Sequence, residues 1–432
     1  MKIKVKEKSY DEVLALPPRQ HQKPRRQLLF WRTLLRLVSS PDLVATHFSC
    51  KEIGMERLGK KEPALFLMNH SSFIDLKIAS KILYPRPFNI VCTTDGFVGK
   101  KWLMRSLGCI PTNKFVSDLN LVRDMVYATR KLGSSVLMYP EAGYSFDGTS
   151  TLLPDSLGKC VKLLGVPLVM IRAYGAFARQ PLYNDLHRRN VKVEAEMEYL
   201  LSPEEIKAMP AEEIAALIEK QFSFDNFRWQ QEHSVSIKES DRADHLNRVL
   251  YKCPACHGEG CLEGKGVILH CSSCGKSWTL DTNGYIHANA GATEFAHVPD
   301  WFRWERECVR EELAENRYSM ETDVDIYVLA DTKSLYYVGE GHLSHSREGF
   351  HLVGCDGRLD YTQDPLFSYS LNADFNWYEM GDVIGIGTNA MLYYCIPKDE
   401  SVCVAKARLA TEELYKMLRE ERQKARQSAP KE

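Results

Sequence analysis

Short apolar runs alternate with helical patterns along the first half of the chain. The runs read as buried strands, because short continuous apolar stretches are typical of sheet cores; they cover 64–68, 88–92, 135–139, 168–173 and 191–197. Between and around them, apolar spacing predicts helices over 75–83, 101–107, 119–132 and 157–164. This alternation predicts an α/β fold in which helices are layered on a mixed sheet.

An amphipathic helix is predicted over about 27–40, ahead of the first strand. At about 100° per residue, an apolar face that includes Trp31 and Leu34 lies opposite a basic face that includes Arg32 and Arg36. A Trp- and Leu-rich face beside a basic one is typical of a helix lying in a membrane interface. The pattern fits a helix packed on the domain's own core equally well, and a docked helix can still show Trp31 to lipid.

Two Cys-x-x-Cys pairs stand close together in the second half of the chain. Their members are Cys253, Cys256, Cys271 and Cys274. Paired knuckles around a glycine-rich loop predict a zinc ribbon whose four thiolates fill a tetrahedral, structural site. Cys261, His257 and His270 lie nearby, and one of them could substitute as a ligand. A nucleic-acid-binding ribbon is the rival, but few basic residues surround the pairs, so we expect no nucleic-acid partner.

Strand-like pieces then follow over 324–330, 334–339, 349–353 and 391–396, and a helix is predicted over about 402–424. The sequence therefore predicts three units, which are an α/β domain over 1–248, the ribbon over 249–290 and a small β-rich domain over 295–425. Several strands followed by a terminal helix resemble a pleckstrin-homology-like domain.

Composition narrows the class of protein. The chain has 432 residues, 44% of them hydrophobic and 26% charged, with a net charge of −1, which excludes a global basic field for nucleic acid. No apolar run reaches the roughly 18 residues of a membrane span, and the N-terminus lacks the apolar core of a signal peptide. Thirteen cysteines in such a chain predict a reducing compartment. We therefore expect a cytoplasmic protein.

A histidine and an aspartate follow the first predicted strand. His70 stands at the end of the strand over 64–68, and Asp75 lies five residues further on. If a helix begins near Ser71, Asp75 is about one turn away and can face the imidazole. A carboxylate on one ring nitrogen fixes the tautomer and leaves the other nitrogen free as a base. Alone, such a pair is more often structural.

A second turn carries a glutamate. The predicted strand over 135–139 runs into small residues around Glu141, where backbone N–H groups could form an oxyanion or acceptor pocket. A structural turn is the default interpretation of such a motif. If the two strands lie side by side, however, both turns open at one edge of the sheet, where ligands bind in open α/β folds.

These residues resemble the phospholipid/glycerol acyltransferase family, which includes the lysophosphatidic acid acyltransferases. The resemblance rests on Asn69-His70, four residues and then Asp75, with Tyr139-Pro140-Glu141 and Ser145 downstream. The blocks at 108–114 and 165–171 are similar to further family blocks in order and separation. The resemblance covers about residues 25–225 and leaves out the C-terminal half.

The resemblance implies transfer of an acyl group from acyl-CoA or acyl-carrier protein to a glycerolipid hydroxyl, that of 1-acyl-sn-glycerol-3-phosphate above all. His70 would be the general base and Asp75 would orient it, while Lys114 would bind an acidic head group. The substrate-binding residues that it implies are Asn69, Lys114, Glu141, Ala142, Gly143 and Ser145. The partners would be a lysophospholipid, an acyl thioester and, through the N-terminal helix, the inner face of a membrane.

One departure from the family pattern concerns the acceptor. Where the family usually reads Pro-Glu-Gly-Thr-Arg-Ser, this chain has Tyr144 in place of the arginine that commonly contacts phosphate. Arg172, Arg179 or Lys114 could compensate, or the acceptor could lack a phosphate at that position. The alternative function is a non-catalytic lipid- or protein-binding regulatory protein on the same fold.

Overall fold

The computed structural model describes residues 2–428, and the strands of this part of the chain form three sheets. The strands are β1 (Val5–Glu7), β2 (Ser49–Ile53), β3 (Leu65–Met68), β4 (Phe88–Thr93), β5 (Cys109–Thr112), β6 (Ser135–Met138), β7 (Leu168–Tyr174), β8 (Glu194–Leu201), β9 (Leu262–Lys265), β10 (Ile268–Cys271), β11 (Ser277–Leu280), β12 (Ile286–Ala288), β13 (Met320–Leu329), β14 (Leu335–Ser346), β15 (Gly349–Gly354), β16 (Leu359–Gln363), β17 (Asn372–Asp374), β18 (Val383–Gly387) and β19 (Leu392–Pro397). The helices are α1 (Tyr10–Leu14), α2 (Leu29–Ala45), α3 (Ile74–Ile82), α4 (Lys101–Ser106), α5 (Leu119–Arg130), α6 (Leu157–Leu164), α7 (Ala176–Arg179), α8 (Pro203–Ala208), α9 (Ala211–Phe222), α10 (Asn226–Glu232), α11 (Val298–Ala314) and α12 (Val404–Ser428).

The first sheet has seven strands in the order β2-β8-β7-β3-β6-β4-β5. Strand β3 runs parallel to both of its neighbours, β6 and β7, whereas β8 runs antiparallel to β7. The predicted mixed sheet is therefore present. Strands covered on both faces need continuous apolar runs, and β3 and β6 are buried along their whole length.

Side chains of β3 alternate between two helical layers, as successive residues of a strand must. Phe66 and Met68 pack on one face with Ile78 of α3. Leu65 packs on the other face with Met125 of α5 and with side chains of α6 and α9. The sheet is therefore the middle layer of an α/β/α arrangement, and only its edges remain for a ligand.

Helix α2 continues past the predicted end at residue 40. Pro41 lies inside it, although proline removes a backbone donor and favours a helix end. The last turn is held from outside, because the Asp42 carboxylate accepts a hydrogen bond from Lys77 Nζ at 2.6 Å and Leu43 is buried. Neither α2 nor any other helix within residues 2–428 is long and apolar enough to cross a membrane.

The second sheet is small and antiparallel, in the order β12-β11-β10-β9, and it spans the segment with the paired cysteines. It packs on α11, where the fully buried rings of Trp278 and Trp301 meet at a centroid distance of 5.1 Å. Trp301 Nε1 donates a hydrogen bond to the Lys252 carbonyl oxygen at 2.9 Å, which ties α11 to the chain just before the first cysteine pair.

The third sheet runs β16-β15-β14-β13-β19-β18-β17, and β1 pairs with β14 in parallel. Helix α12 packs beside it through Ala407, Ala410 and Leu414, so the predicted C-terminal helix is present. Strands β16, β17 and β18 were missing from the sequence-based prediction. Residues 5–7 thus lie in the C-terminal sheet. The three predicted domain ranges and the pleckstrin-homology-like fold stay predictions.

Candidate active site

Strands β3 and β6 end side by side, and each runs into a turn with a predicted site residue. Leu67 lies beside Met138 in the parallel ladder, so His70 and Glu141 leave the sheet at the same edge. The His70 backbone N–H donates to Glu141 Oε2 at 2.8 Å, and the Ser145 N–H donates to the His70 carbonyl oxygen at 3.1 Å. The two turns are therefore one hydrogen-bonded unit.

Asp75 fixes the His70 ring. Its Oδ2 lies 3.0 Å from His70 Nδ1 and also accepts the backbone N–H groups of Ser71 at 2.7 Å and Ser72 at 3.0 Å. Asp75 is fully buried in the first turn of α3, where the helix dipole favours a negative charge. Because a carboxylate accepts, Nδ1 carries the hydrogen and Nε2 keeps a lone pair.

Aromatic rings wall the imidazole. Tyr139 stacks on His70 at a centroid distance of 4.0 Å, and Tyr144 lies at 4.4 Å from the same ring. Burial raises the pKa of both phenols well above its ordinary value, so both are neutral. Phe73 contacts Tyr144 and is 51% exposed, while the His70 side chain is 23% exposed. The imidazole is thus reachable from solvent past aromatic rings. The sequence did not predict that Tyr139 and Phe73 line the approach to it.

Glu141 is fully buried and is bonded to backbone on both sides. Its Oε2 accepts the His70 N–H, and its Oε1 accepts the Thr151 N–H at 2.8 Å. Burial raises the pKa of this carboxyl to about 7, although the two hydrogen bonds act in the opposite direction. In this structure Glu141 joins the His70 turn to the segment around Thr151.

The turn after Glu141 is tight. Ala142 has a left-handed backbone, with φ +57°, a conformation that costs a residue with a Cβ about 1–2 kcal/mol. Its N–H donates to the Tyr139 carbonyl oxygen at 3.1 Å, which closes the turn. Gly143 borders open space, since an added Cβ would meet no atom within 4 Å. The buried Ser145 hydroxyl donates to the Thr149 carbonyl oxygen at 2.6 Å, so this side chain secures the loop.

Asn69 and Lys114, both predicted to contact substrate, have partners within the protein. The Asn69 amide donates to the Ala173 carbonyl oxygen at 3.0 Å and accepts the Ala173 N–H at 2.7 Å, which clasps β3 to β7. Lys114 Nζ lies 3.5 Å from Asp374 Oδ2 at the end of β17. Their roles in substrate binding stay predictions.

The C-terminal sheet contributes side chains to this region. Besides Asp374, the ring of Phe375 packs on Phe146 at a centroid distance of 4.4 Å, and the Tyr378 hydroxyl donates to Asp95 Oδ2 at 3.0 Å. Sequence reasoning missed all of them. No local pattern could have found these contacts, because they join distant parts of the chain.

The four predicted cysteine ligands form a cluster in which all Sγ atoms lie within 4.8 Å of one another. The Cys253–Cys274 and Cys256–Cys271 Sγ distances are 3.8 and 3.7 Å. Zinc–sulfur bonds of about 2.3 Å in a tetrahedron place sulfur atoms about 3.8 Å apart. The donor set therefore fits a metal ion such as zinc. Cys261 Sγ lies close by, 3.5 Å from Cys271 Sγ.

Known proteins offer two points of comparison. Residues 49–172 match the protein-family model named Acyltransferase, and this segment contains His70, Asp75 and Glu141. Among solved structures, the chain is similar to the 1-acyl-sn-glycerophosphate (LPA) acyltransferase of Thermotoga maritima, at 15% identity and a TM-score of 0.35, over 44% of this chain and 78% of that one. A score this low carries no weight for fold or function. No curated protein matches the chain. The family match supports an acyltransferase domain over 49–172.

Proposed function

We propose that the protein is an O-acyltransferase that moves a fatty acyl group from a thioester, acyl-CoA or acyl-carrier protein, to a glycerolipid hydroxyl. The observation that carries the proposal is the His70–Asp75 pair, with its 3.0 Å hydrogen bond, at the sheet edge shared with the Glu141 turn. The family match over 49–172 supports the reaction class.

In the proposed reaction, His70 Nε2 takes the proton from the acceptor hydroxyl as that oxygen attacks the thioester carbonyl carbon. The new C–O bond forms, the C–S bond breaks, and the imidazolium returns its proton to the leaving thiolate. Asp75 balances the charge of the imidazolium and holds the ring. General-base assistance of this kind contributes about 10²–10⁴-fold to a rate.

The surrounding residues have supporting roles in this proposal. Gly143 leaves room beside the base for the reacting groups, whereas Glu141, Ser145 and Asn69 hold the turns and strands that position His70. The resemblance to lysophosphatidic acid acyltransferases makes 1-acyl-sn-glycerol-3-phosphate the first acceptor to test. The ion pair of Lys114 with Asp374 matters for this acceptor, because Lys114 is the residue predicted to bind its acidic head group.

We also propose that α2 rests on a membrane surface, where a lipid acceptor resides. Helix α2 docks on α3 through Ser39 and Leu43, yet Leu37 and Val38 are 63% and 68% exposed. The exposed Trp102 of α4 extends this apolar surface, since its ring lies beside a ring of α2 at 5.6 Å. Exposed arginines before the helix complement anionic head groups.

For the cysteine cluster we propose structural zinc. Cys253, Cys256, Cys271 and Cys274 would hold the ion with four thiolates, which leaves no coordination position for substrate. The ion would tie the loops of the ribbon that packs on α11. It takes no part in the acyl transfer.

The test is an acyl-transfer assay on the full chain with labelled acyl-CoA and a panel of lysolipid acceptors. His70→Ala should nearly abolish turnover. His21→Ala is a matched control, because His21 also pairs with a carboxylate, Asp124, at 3.0 Å, but outside the turns that hold His70. If the wild type transfers no acyl group but binds lipid vesicles, the proposal of an enzyme is wrong and that of a non-catalytic regulatory protein takes its place.

A further inference from the structure

Resting on the proposed function, we propose that the acceptor is an uncharged acylglycerol, such as a monoacylglycerol, and that it carries no phosphate beside the reacting hydroxyl. Proteins hold phosphate groups with lysine or arginine side chains whose charge is available to the ligand. The three cations that the sequence offered for this role, Lys114, Arg172 and Arg179, are already paired with carboxylates of the protein.

Lys114 is outnumbered by acids. Its Nζ lies 3.5 Å from Asp374 Oδ2, and both side chains are largely buried. Burial raises the pKa of Asp374, Lys114 lowers it, and the nearby Asp95 raises it again. The acid that pairs with Lys114 thus lies within electrostatic reach of a second carboxyl group, that of Asp95. A phosphate at Lys114 would have to displace one acid and meet repulsion from both.

The aromatic side chains around His70 likewise offer no positive charge to a phosphate. Tyr144 supplies no positive charge, and it lies against the His70 ring at 4.4 Å. Burial raises the pKa of Tyr144, and the charges of Asp75 and Asp374 raise it further, so both acids act on this side of the imidazole. An anionic group on this side of the ring would meet these two acids, and Tyr144 offers no positive charge to offset them.

The two arginines that the sequence offered as substitutes are also engaged. Arg172 Nη2 lies 2.7 Å from Glu198 Oε2 and 3.3 Å from Glu196 Oε2. Arg179 pairs with Asp42 and is almost fully buried. Each guanidinium thus meets carboxylates of the protein, and moving either one onto a ligand would break these ion pairs.

A neighbouring cavity of about 620 Å³ is lined by further arginines, but His70 does not line it. Within it, Arg306 Nη2 lies 2.7 Å from Glu412 Oε2, Arg408 Nε lies 3.1 Å from Glu412 Oε1, and Arg419 pairs with Asp155. The surface that does reach the base is aromatic, formed by Phe73, Tyr139 and Tyr144. It suits the glycerol and ester groups of a neutral acylglycerol.

The experiment compares 1-acylglycerol with 1-acylglycerol-3-phosphate of the same acyl chain, each presented to the full chain in phosphatidylcholine vesicles with acyl-CoA. We expect kcat/KM for the uncharged acceptor to be at least tenfold higher. Equal or better use of the phosphorylated acceptor overturns the inference and leaves the acyltransferase proposal intact. If neither acceptor is acylated above the level of His70→Ala, the proposed function fails and the inference falls with it.

A charge variant adds a second readout. Asp374→Asn removes the acid that occupies Lys114, so the preference for the uncharged acceptor should shrink severalfold. Asp325→Asn is the matched control, since Asp325 also pairs with a lysine, Lys398, on the same sheet, and its ratio should equal that of the wild type. An unchanged ratio in folded Asp374→Asn contradicts the role given to this pair. If that variant does not fold, the comparison of acceptors with the wild type decides alone.

Discussion

Replacing Asp75 by asparagine keeps the shape of the side chain and removes its charge. In the structure, Asp75 Oδ2 accepts three N–H groups, from His70 Nδ1 and from the backbones of Ser71 and Ser72. An amide oxygen can still accept these hydrogen bonds. It cannot balance the positive charge that His70 gains when it takes the proton of the acceptor hydroxyl, so the cost falls mainly on the transition state.

The size of the effect follows from the geometry. At the 3.0 Å separation of His70 Nδ1 and Asp75 Oδ2, two unit charges in a medium with an effective dielectric constant of 20 interact by about 5.5 kcal/mol. His70 is 23% exposed, so solvent screens part of this energy. If about 3 kcal/mol of this interaction energy remains after screening, its removal lowers the rate by about a hundredfold. We therefore expect kcat of Asp75→Asn to fall by about a hundredfold or more.

The assay follows thiol release from acyl-CoA at saturating acceptor, and thermal unfolding checks that the variant is folded. Asp124→Asn is the control, because Asp124 holds His21 with a hydrogen bond of the same length, 3.0 Å. The control should stay within twofold of the wild type. A folded Asp75→Asn enzyme that keeps more than a third of the wild-type kcat would refute the charge-balancing role of Asp75.

Three further predictions concern the turn, the ribbon and α2. Because burial raises the pKa of Glu141 from 4.5 to about 7, the folded protein keeps a proton that the unfolded chain releases. The free energy of unfolding should thus fall by up to roughly 3 kcal/mol between those pH values, and denaturant titrations of Glu141→Gln should show a flatter profile. Metal analysis should find about one zinc ion per chain in the wild type and in Cys261→Ser and none in Cys271→Ser; zinc retained in Cys271→Ser contradicts the four-ligand site. Leu37→Glu combined with Val38→Glu should weaken sedimentation with anionic vesicles while leaving the melting temperature unchanged, and unaltered binding would exclude α2 as the lipid contact.

The arrangement of His70, Asp75 and Glu141 could be predicted from the sequence because the patterns that indicate it are local. The apolar run of β3 predicts a buried strand, and the spacing of His70 and Asp75 predicts a carboxylate one helical turn from the ring. The parallel pairing of β3 with β6 confirms that both turns open at one edge. The partner of Lys114 could not be predicted, because Asp374 comes from a strand in the other half of the chain.

The missed strands have physical causes as well. In β16, only the first and last residues are buried, so no apolar run marks it. In β18, Gly385 lies where a Cβ would come within 2.5 Å of Asn372 Nδ2, and glycine weakens the strand pattern that it makes possible. The end of α2 was predicted too early, at residue 40, because Pro41 indicates a helix end. Contacts of Asp42 and Leu43 hold the helix together beyond the proline.

Strand β1 closes the chain on itself. The Leu335 N–H donates to the Lys4 carbonyl oxygen at 2.9 Å, and the Lys8 N–H donates to the Tyr337 carbonyl oxygen at 3.1 Å. The chain between residues 8 and 335, which includes the acyltransferase segment, is thereby a loop whose two ends are fastened to the same sheet. A chain cut after residue 290 would lose the anchor at both ends at once, and not merely a C-terminal appendage. Separation of the two halves would have to break this pairing as well as the side-chain contacts between them, so the halves are tied to each other at more than one place.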